Sequence, residues 1–297
     1  MNPGFPDSDI IARFLKDGDR VSNKLSEINV LIIGDFLTVE EHAFIQSYRG
    51  LRILYVAEPL MNLPMCSIAG ELFRQKKYNA VIGCISNREE SYNWVKYPLY
   101  RYSVKFTADS FAETNMRVSS MCAAEIIKKK FCTLINRHDW GNTRTPIYQG
   151  LSAIGHIVCP GKLFNNCAND ELNNIGNIEY IKKFLFNICS ENYGADHPGY
   201  VTEKLMNACL GEAIPIYYGE LDTIDRKIFN EERIIFLNRD NTDVVVEKVK
   251  SLLEDEETLV KFYQQPVFCA GAYKEMLAMD VNVAGFFDVV RAKLKRQ

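Results

Sequence analysis

Apolar runs alternate with segments of helical spacing along most of this chain. In the first half, three runs rich in Val, Ile and Leu occur at 28–34, 51–57 and 79–85. Continuous apolar runs of this length are typical of strands buried on both faces of a parallel sheet. The segments between them, 39–48 and 68–77, have the spacing of helices. The β-α-β-α-β order predicts a parallel sheet with crossover helices.

A second alternating series follows a predicted helix at 115–130 that ends in three lysines. Its apolar runs predict strands at 131–135, 156–159, 184–189, 213–217 and 233–236. Helical spacing predicts helices at 145–154, 202–210, 224–229, 244–253, 257–264 and 284–295. Loops are predicted at the polar stretches 86–96 and 165–177.

Two β/α series predict an α/β protein of two Rossmann-like domains that face a central cleft. The join near residues 130–139 gives a first domain at 1–135 and a second at 136–297. The last helix is a candidate to pack back on the first domain. In open parallel sheets ligands bind at the carboxyl ends of the strands, so we expect the site residues directly after strands.

Composition narrows the function classes. The 297 residues are 47% apolar and 25% charged, which is ordinary for a soluble globular protein. A net charge of −3 gives no global field for nucleic acid. No apolar run is long enough for a membrane span, and the first residues lack the apolar core of a secretory signal. We therefore predict a cytoplasmic protein with no transmembrane segment and no nucleic-acid partner.

The candidate metal ligands form no convincing metal site. Nine cysteines are scattered without a Cys-x-x-Cys pair, which indicates reduced, buried thiols. Two Asp-x-Asp patterns, 7–9 and 17–19, lie in a predicted polar arm over 1–26 and do not end a hydrophobic strand. We interpret them as solvated caps or turns. The sequence therefore predicts no metal ligands.

The segment 184–219 carries the densest group of candidate site residues. It predicts a strand, a polar loop, a helix and a strand. Thr202 is predicted as the N-cap of the helix, which puts Glu203 and Lys204 in the first turn. A helix N-terminus suits a phosphate, so Lys204 could face a diphosphate while Glu203 accepts hydrogen bonds from sugar hydroxyls. The alternative is an ordinary capped helix of an α/β protein.

This segment resembles the signature of glycosyltransferase family 10, the α-1,3/1,4-fucosyltransferases. The residues that match, in order, are Phe186, Ile188, Glu191, Asn192, Tyr200, Val201, Thr202, Glu203, Lys204, Leu205, Ala208, Ile214, Pro215, Ile216 and Gly219. The pattern departs from the family at Ser190 and in the insert 194–199. Weaker similarities occur at 156–166, at 135–144, which includes Arg144, at 97–100, and at 54–59, where Glu58 follows a predicted strand.

The resemblance implies a GT-B fold whose first domain binds the acceptor and whose second binds GDP-fucose. It implies inverting transfer of L-fucose in α linkage, of the α-1,3 type, to an N-acetylglucosamine-type oligosaccharide. Lys204 and Arg144 would hold the diphosphate. Sugar hydroxyls would be bound by Glu203, Glu191 and Asn192, and Tyr200 would contact the nucleotide. No cofactor is required, and a divalent metal would at most stimulate.

Glu58 is the candidate general base, because it ends a parallel strand in the acceptor half and matches the family's strand-end Glu. Its alternative is a cap of the following turn. Two loop histidines, His138 and His197, are other candidate bases, and Arg144 by position alone is a solvated residue before a helix. Alternative functions are transfer from another nucleotide-sugar and catalytically silent nucleotide or glycan binding.

Overall fold

The computed structural model describes residues 13–20, 22, 24, 27–58, 66–84, 94–104, 106–194 and 197–295. Contacts between residues divide the chain into two compact units. The first comprises Met1–Tyr102 together with Met276–Gln297, and the second comprises Ser103–Glu275. Each unit contains one parallel sheet.

The first unit contains a four-stranded sheet in the order β1-β2-β3-β4. Its strands are β1 (Val30–Ile33), β2 (Leu51–Val56), β3 (Ala80–Gly83) and β4 (Trp94–Lys96), and all pairings are parallel. Crossovers use helices α1 (Val39–Ser47) and α2 (Ser67–Arg74), and α3 (Leu99–Ser103) follows the last strand. The middle strands β2 and β3 supply most of the buried sheet, as their apolar runs predict.

The second unit contains a five-stranded sheet in the order β6-β5-β7-β8-β9. These strands are β5 (Lys130–Leu134), β6 (Ile157–Val158), β7 (Phe184–Ser190), β8 (Ile214–Tyr218) and β9 (Ile235–Leu237), again all parallel. Its helices are α4 (Ala108–Ser120), α5 (Ala123–Ile127), α6 (Arg144–Ser152), α7 (Asp170–Ile181), α8 (Glu203–Leu210), α9 (Thr242–Glu254) and α10 (Glu256–Tyr263). All residues of the central strands β7 and β8 are buried.

The division of the chain falls earlier than the predicted boundary after residue 135. Strand β5 pairs with β7 in the second sheet, so it cannot belong to the first domain as predicted. Helix α4 also lies in the second unit, where the Asn115 amide nitrogen donates to the Phe268 carbonyl at 2.9 Å. The predicted join was placed between the two β/α series along the chain, whereas the observed division follows which sheet each element packs on.

The last helix, α11 (Ala272–Leu294), runs for 23 residues, and Met276 onward groups with the first unit. The Tyr97 hydroxyl donates to Asp280 at 3.2 Å, and Arg101 forms an ion pair with Asp280. The rings of Phe14 and Phe287 stack with centroids 5.9 Å apart. The predicted start of this helix at residue 284 was therefore twelve residues too late. Its first turns bury Ala272, Met276, Met279 and Val283 on one face, but apolar residues on the exposed face, such as Leu277 and Val281, obscure this stripe in the sequence.

Three other expectations differ from the structure. The predicted loop 86–96 ends in the edge strand β4, and residues 85–93 lie outside the described part. The predicted Asn-rich loop 165–177 contains most of α7, a largely exposed helix that Gly176 kinks with φ +78°. The predicted helix 115–130 is two helices, because the chain turns extended at Met121 and Cys122. Short, exposed or kinked elements lack the periodicity that predicts them.

Parallel pairing brings the carboxyl ends of neighbouring strands to one edge of each sheet. In the first unit this edge carries Asp35, shortly after β1, and Glu58, shortly after β2. In the second unit, the adjacent strands β5 and β7 bring together their following loops, 135–143 and 191–202. Five of the eight predicted site residues lie in these two places, and Arg144, Glu203 and Lys204 open the helices that directly follow the two loops.

Neither a membrane-spanning helix nor a metal cluster occurs in the described ranges. Within them, no helix combines the length and the apolar character needed to cross a bilayer. The same ranges contain no group of three or more His, Cys, Asp or Glu side chains that could hold a metal ion. The nine cysteines, all of which lie in described segments, are unpaired.

Candidate active site

The N-terminus of α8 is built by Thr202. This residue has an extended backbone, with φ −95° and ψ −169°, and its hydroxyl oxygen accepts from the backbone N–H of Lys204 at 3.5 Å. Thr202 is thus the N-cap, as predicted. The eight-residue helix points the positive end of its dipole at the edge of the sheet where β7 ends.

A buried carboxylate organises this helix start. Glu191, the first residue after β7, has no exposed surface. Its carboxylate accepts from the Thr202 N–H at 2.8 Å, the Thr202 hydroxyl at 2.6 Å and the Lys204 ammonium at 3.1 Å. A buried charge is tolerated only when it is paired and hydrogen-bonded, and these three contacts meet that requirement. Glu191 therefore binds the chain's own helix start, in contrast to its predicted contact with a sugar hydroxyl.

Lys204 is the cationic group of this cluster. Its ammonium also donates to the Thr202 hydroxyl oxygen at 3.0 Å, and 21% of its side chain is exposed. Burial lowers the pKa of Lys204, but the charges of Glu191 and Glu203 outweigh burial and raise the pKa above its ordinary value. Lys204 is therefore protonated at neutral pH, fixed on one side, and accessible on the other.

Arg144 is the first residue of α6 and is fully buried. Its guanidinium donates to the His138 carbonyl at 2.7 Å, the Ser190 carbonyl at 2.8 Å and the Asn192 side-chain oxygen at 3.0 Å. It thereby ties the loop after β5 to the end of β7. Arg144 is therefore not a solvated residue, and its guanidinium has no exposed surface in this conformation. Its geometry assigns it to the support of the site.

Asp139 fixes the turn that leads into α6. Its carboxylate accepts from the backbone N–H groups of Thr143, Arg144 and Thr145 at 3.0, 3.0 and 2.8 Å, and from the Thr145 hydroxyl at 2.6 Å. Burial raises the pKa of Asp139, but the Thr145 hydroxyl and these N–H groups outweigh it, so the net pKa is lowered. Asp139 is therefore a capping carboxylate.

The same turn exposes an aromatic pair. The rings of His138 and Trp140 stack at 3.7 Å with an interplanar angle of 8°, and 57% of Trp140 is exposed. Burial and the charges of Arg144 and Lys204 lower the pKa of His138, which favours a neutral imidazole at pH 7. His197, the other candidate base, packs edge-on against the Tyr193 ring at 5.9 Å.

The remaining predicted donor-site residues divide into buried and accessible ones. Tyr200 has no exposed surface, so its predicted contact with a nucleotide is not available in this conformation. Asn192 is 9% exposed and holds Arg144. Glu203 is partly exposed and lines an open cavity of about 590 Å³ together with Asn207 and Leu210. These three positions share one face of α8, so the cavity extends from the helix start.

The corresponding edge of the first unit contains two carboxyl groups. Glu58 is partly exposed, and its backbone N–H donates to Asp35 at 2.6 Å. Asp35 has no exposed surface, and burial raises its pKa to about 7. The sequence reasoning singled out Glu58 but missed Asp35. A signal for it existed, since Asp35 follows Gly34 at the end of the predicted strand 28–34, the same kind of position as Glu58.

Comparison with known proteins finds a family match over the second half of the chain. Residues 124–266 match the model of the C-terminal part of glycosyltransferase family 10, the fucosyltransferases. An α-(1,3)-fucosyltransferase of Helicobacter pylori is 25% identical over 170 residues, which are 56% of this chain and 34% of that protein. The chain thus spans about a third of the length of this relative. The resemblance to glycosyltransferase family 10 predicted from the sequence is therefore confirmed over residues 124–266.

Solved structures extend the likeness beyond that segment. The crystal structure of an α1,3-fucosyltransferase with GDP-fucose has a TM-score of 0.54 and 18% identity, and the match covers 89% of this chain and 94% of that one. A structure of an α1,3-fucosyltransferase with GDP gives a TM-score of 0.53 over 90% and 93%. At this identity the likeness shows the fold, and it confirms the predicted GT-B class. The relatives belong to the predicted enzyme class, the glycosyltransferases.

Proposed function

We propose that this chain is an inverting fucosyltransferase that transfers L-fucose from GDP-fucose, in α-1,3 linkage, to a hydroxyl of an N-acetylglucosamine-type oligosaccharide. The observation that carries the proposal is the Glu191–Thr202–Lys204 cluster at the start of α8. It combines a protonated lysine, a helix N-terminus and a strand end of a parallel sheet, which together suit a diphosphate. The family match over the same residues supports fucose as the sugar.

The leaving group is the first requirement of this reaction. As the glycosidic bond breaks, negative charge grows on the GDP diphosphate, and a fixed positive group lowers the barrier most if it needs no rearrangement. Lys204 meets this condition because Glu191 and Thr202 hold its ammonium in place. The dipole of α8 adds to the same field. On this proposal Arg144 acts indirectly, by fixing the two loops around the helix start.

Binding of the donor sugar is the second requirement. Glu203 is accessible at the first position of α8, beside Lys204, and its carboxylate can accept two hydrogen bonds from sugar hydroxyls. Glu191 and Asn192 are occupied by contacts within the chain. We therefore assign sugar binding to Glu203 ahead of the other two, which keep the site rigid.

Activation of the acceptor hydroxyl is the third requirement. A general base removes its proton as the oxygen attacks the anomeric carbon, which inverts the configuration there. We propose Glu58 for this role, because it is a partly exposed carboxylate at the end of a parallel strand. His138 is a weaker candidate, since it is stacked on Trp140 in the loop that holds Arg144.

An acceptor array tests the function directly. The full chain is incubated with GDP-fucose and a panel of oligosaccharides with and without terminal or internal N-acetylglucosamine, and products are detected by mass spectrometry. We expect an added deoxyhexose on acceptors that contain N-acetylglucosamine, with an α-anomeric signal in the proton NMR spectrum. Transfer only from another nucleotide-sugar would replace the donor assignment. GDP binding without transfer or hydrolysis would indicate a silent binding protein.

A further inference from the structure

Asp35 holds the end of the neighbouring strand through two short hydrogen bonds. One oxygen of its carboxyl group, Oδ2, accepts from the backbone N–H of Ala57 at 2.8 Å and from that of Glu58 at 2.6 Å. Both donors are the residues that directly follow β2. Hydrogen bonds to a charged or strongly polar oxygen are the stronger ones, so this pair fixes the backbone from which the Glu58 side chain extends.

The other oxygen of Asp35 has no comparable role in holding the backbone. Asp35 has no exposed surface, and its Oδ1 has no hydrogen-bond partner within the described part of the chain. A buried polar oxygen without a partner lowers stability. An asparagine would accept the same two N–H groups without burying an ionisable group. The presence of an acid at this position therefore points to a use for its charge or its proton.

Among the described residues, the other titratable neighbours of Asp35 do not exchange protons near neutral pH. Three neighbours respond to its charge, and burial raises the pKa of each, so all three are neutral at pH 7: Tyr55 on β2, Cys66 at the start of α2, and Cys84 after β3. A cation of the neighbouring strand, Lys96, acts on Cys84. Burial and, to a smaller extent, the charge of Glu58 raise the pKa of Asp35 to about 7, against the backbone N–H groups that lower it.

We propose that Asp35 is a positioning residue for the reaction: it fixes the backbone of Ala57 and Glu58 and places a second carboxyl group beside that of Glu58. The inference rests on the proposed role of Glu58 as the base. When Asp35 ionises, its negative charge disfavours the negative charge of Glu58, which makes Glu58 a stronger proton acceptor. The two carboxyl groups then titrate as a pair.

Two variants at this position separate the two parts of the proposal. Asp35→Ala removes both the accepting oxygen and the charge, whereas Asp35→Asn keeps the accepting oxygen and removes only the charge. Asp17→Ala is the matched control, because Asp17 is an exposed aspartate of the same unit. For each protein we would measure kcat for fucosyl transfer, GDP affinity by calorimetry, and hydrogen exchange at the amides of Ala57 and Glu58.

The first set of expectations concerns the hydrogen bonds from the Ala57 and Glu58 amides to Asp35. Asp35→Ala should exchange the Ala57 and Glu58 amides at least about tenfold faster and lower kcat by about tenfold or more, with GDP affinity unchanged. Asp35→Asn should restore the slow exchange and most of the turnover. The positioning role would be overturned if Asp35→Ala folds and both amides exchange as slowly as in the parental protein. It would also be overturned if Asp35→Asn loses as much turnover as Asp35→Ala.

The second expectation concerns the pH dependence of kcat. It tests the proposal with Asp35→Asn alone, so it holds even if the alanine variant does not fold. The parental profile should contain an ionisation near pH 7 that Asp35→Asn lacks. Identical profiles for the two proteins would overturn the pairing with Glu58. Failure of the proposed function can be distinguished from failure of this inference. The former would appear as absent transfer in the parental protein or as full turnover in Glu58→Gln. Amide exchange at Ala57 and Glu58 does not depend on activity and still reports on Asp35.

Discussion

The carboxyl edges of the two sheets differ in how their polar groups are compensated. At the edge of the second sheet, the buried Glu191 is neutralised by Lys204 and hydrogen-bonded by Thr202, all within 13 residues of one another along the chain. At the edge of the first sheet, the hydrogen bonds that the buried Asp35 accepts from described residues come from backbone N–H groups, and the nearby Glu58 is also acidic. The first arrangement holds a partly exposed ammonium at a helix N-terminus, which suits a bound anion, whereas the second raises proton affinity. We infer a division of labour in which one edge stabilises the leaving group and the other accepts a proton.

The largest effect that would test this division is on turnover. Glu58→Gln keeps the size of the side chain and removes the basic oxygen. We expect kcat to fall by about 10²–10⁴-fold, the usual range for loss of a general base. Initial rates of fucosyl transfer at saturating GDP-fucose and acceptor measure this effect. Unchanged turnover would move the base to the second unit, with His138 as the next variant to make.

The support given by Arg144 predicts a large effect on stability. Arg144→Ala would leave the carbonyls of His138 and Ser190 and the side chain of Asn192 without their donor in a buried place. We expect the free energy of unfolding to fall by about 2–4 kcal/mol, measured by denaturant titration. Arg137→Ala, at an exposed arginine of the same loop, is the control and should change it by less than about 0.5 kcal/mol. Equal, small effects would contradict the supporting role.

The same contrast explains what could be read from the sequence. Thr202 and Lys204 lie within one strand–loop–helix segment, so local pattern and capping rules were enough to predict this helix start. They did not predict that Glu191 binds it. Asp35 and Glu58 meet only because β1 and β2 pair in register, with Ile33 opposite Leu54, and pairing of that kind is not a local signal. The burial of Arg144 and Tyr200 depends on how the loops pack, which the sequence does not show. The sequence therefore predicted direct ligand contacts for two residues whose side chains are buried in this structure.

Acidic groups also make stability depend on pH, and Asp35 gives this dependence a definite sign. Its pKa rises from 3.8 to about 7 on folding, so the folded protein binds the proton more tightly than the unfolded chain. Asp35 therefore destabilises the fold progressively as the pH rises from about 4 to 7, and this loss persists above that range. We expect Asp35→Asn to gain stability over the parental protein between about pH 5 and pH 8. Denaturant titrations of both proteins at pH 5 and pH 8 measure this gain. If the difference in the free energy of unfolding between Asp35→Asn and the parental protein is the same at both pH values, the raised pKa is contradicted.

Metal removal should have the smallest effect. Lys204 and the helix dipole supply positive charge at the proposed diphosphate site, so transfer should continue at a similar rate in excess EDTA. Initial rates with and without EDTA, followed by addition of Mn²⁺ or Mg²⁺, test this expectation. Complete loss of activity that a divalent ion restores would show that the charge at the leaving group is supplied by metal.

The most direct test of the division of labour is a calorimetric titration of GDP into three proteins in the same buffer: the parental chain, Lys204→Ala and Glu58→Gln. Lys204→Ala removes a charge-assisted contact worth about 1.5–3 kcal/mol, so its GDP affinity should fall about tenfold or more. Glu58→Gln should bind GDP as the parental protein does. Lys250→Ala, at an exposed lysine of α9, controls for the loss of one positive charge. Parental affinity in folded Lys204→Ala, or an equal loss in Glu58→Gln, would contradict the account.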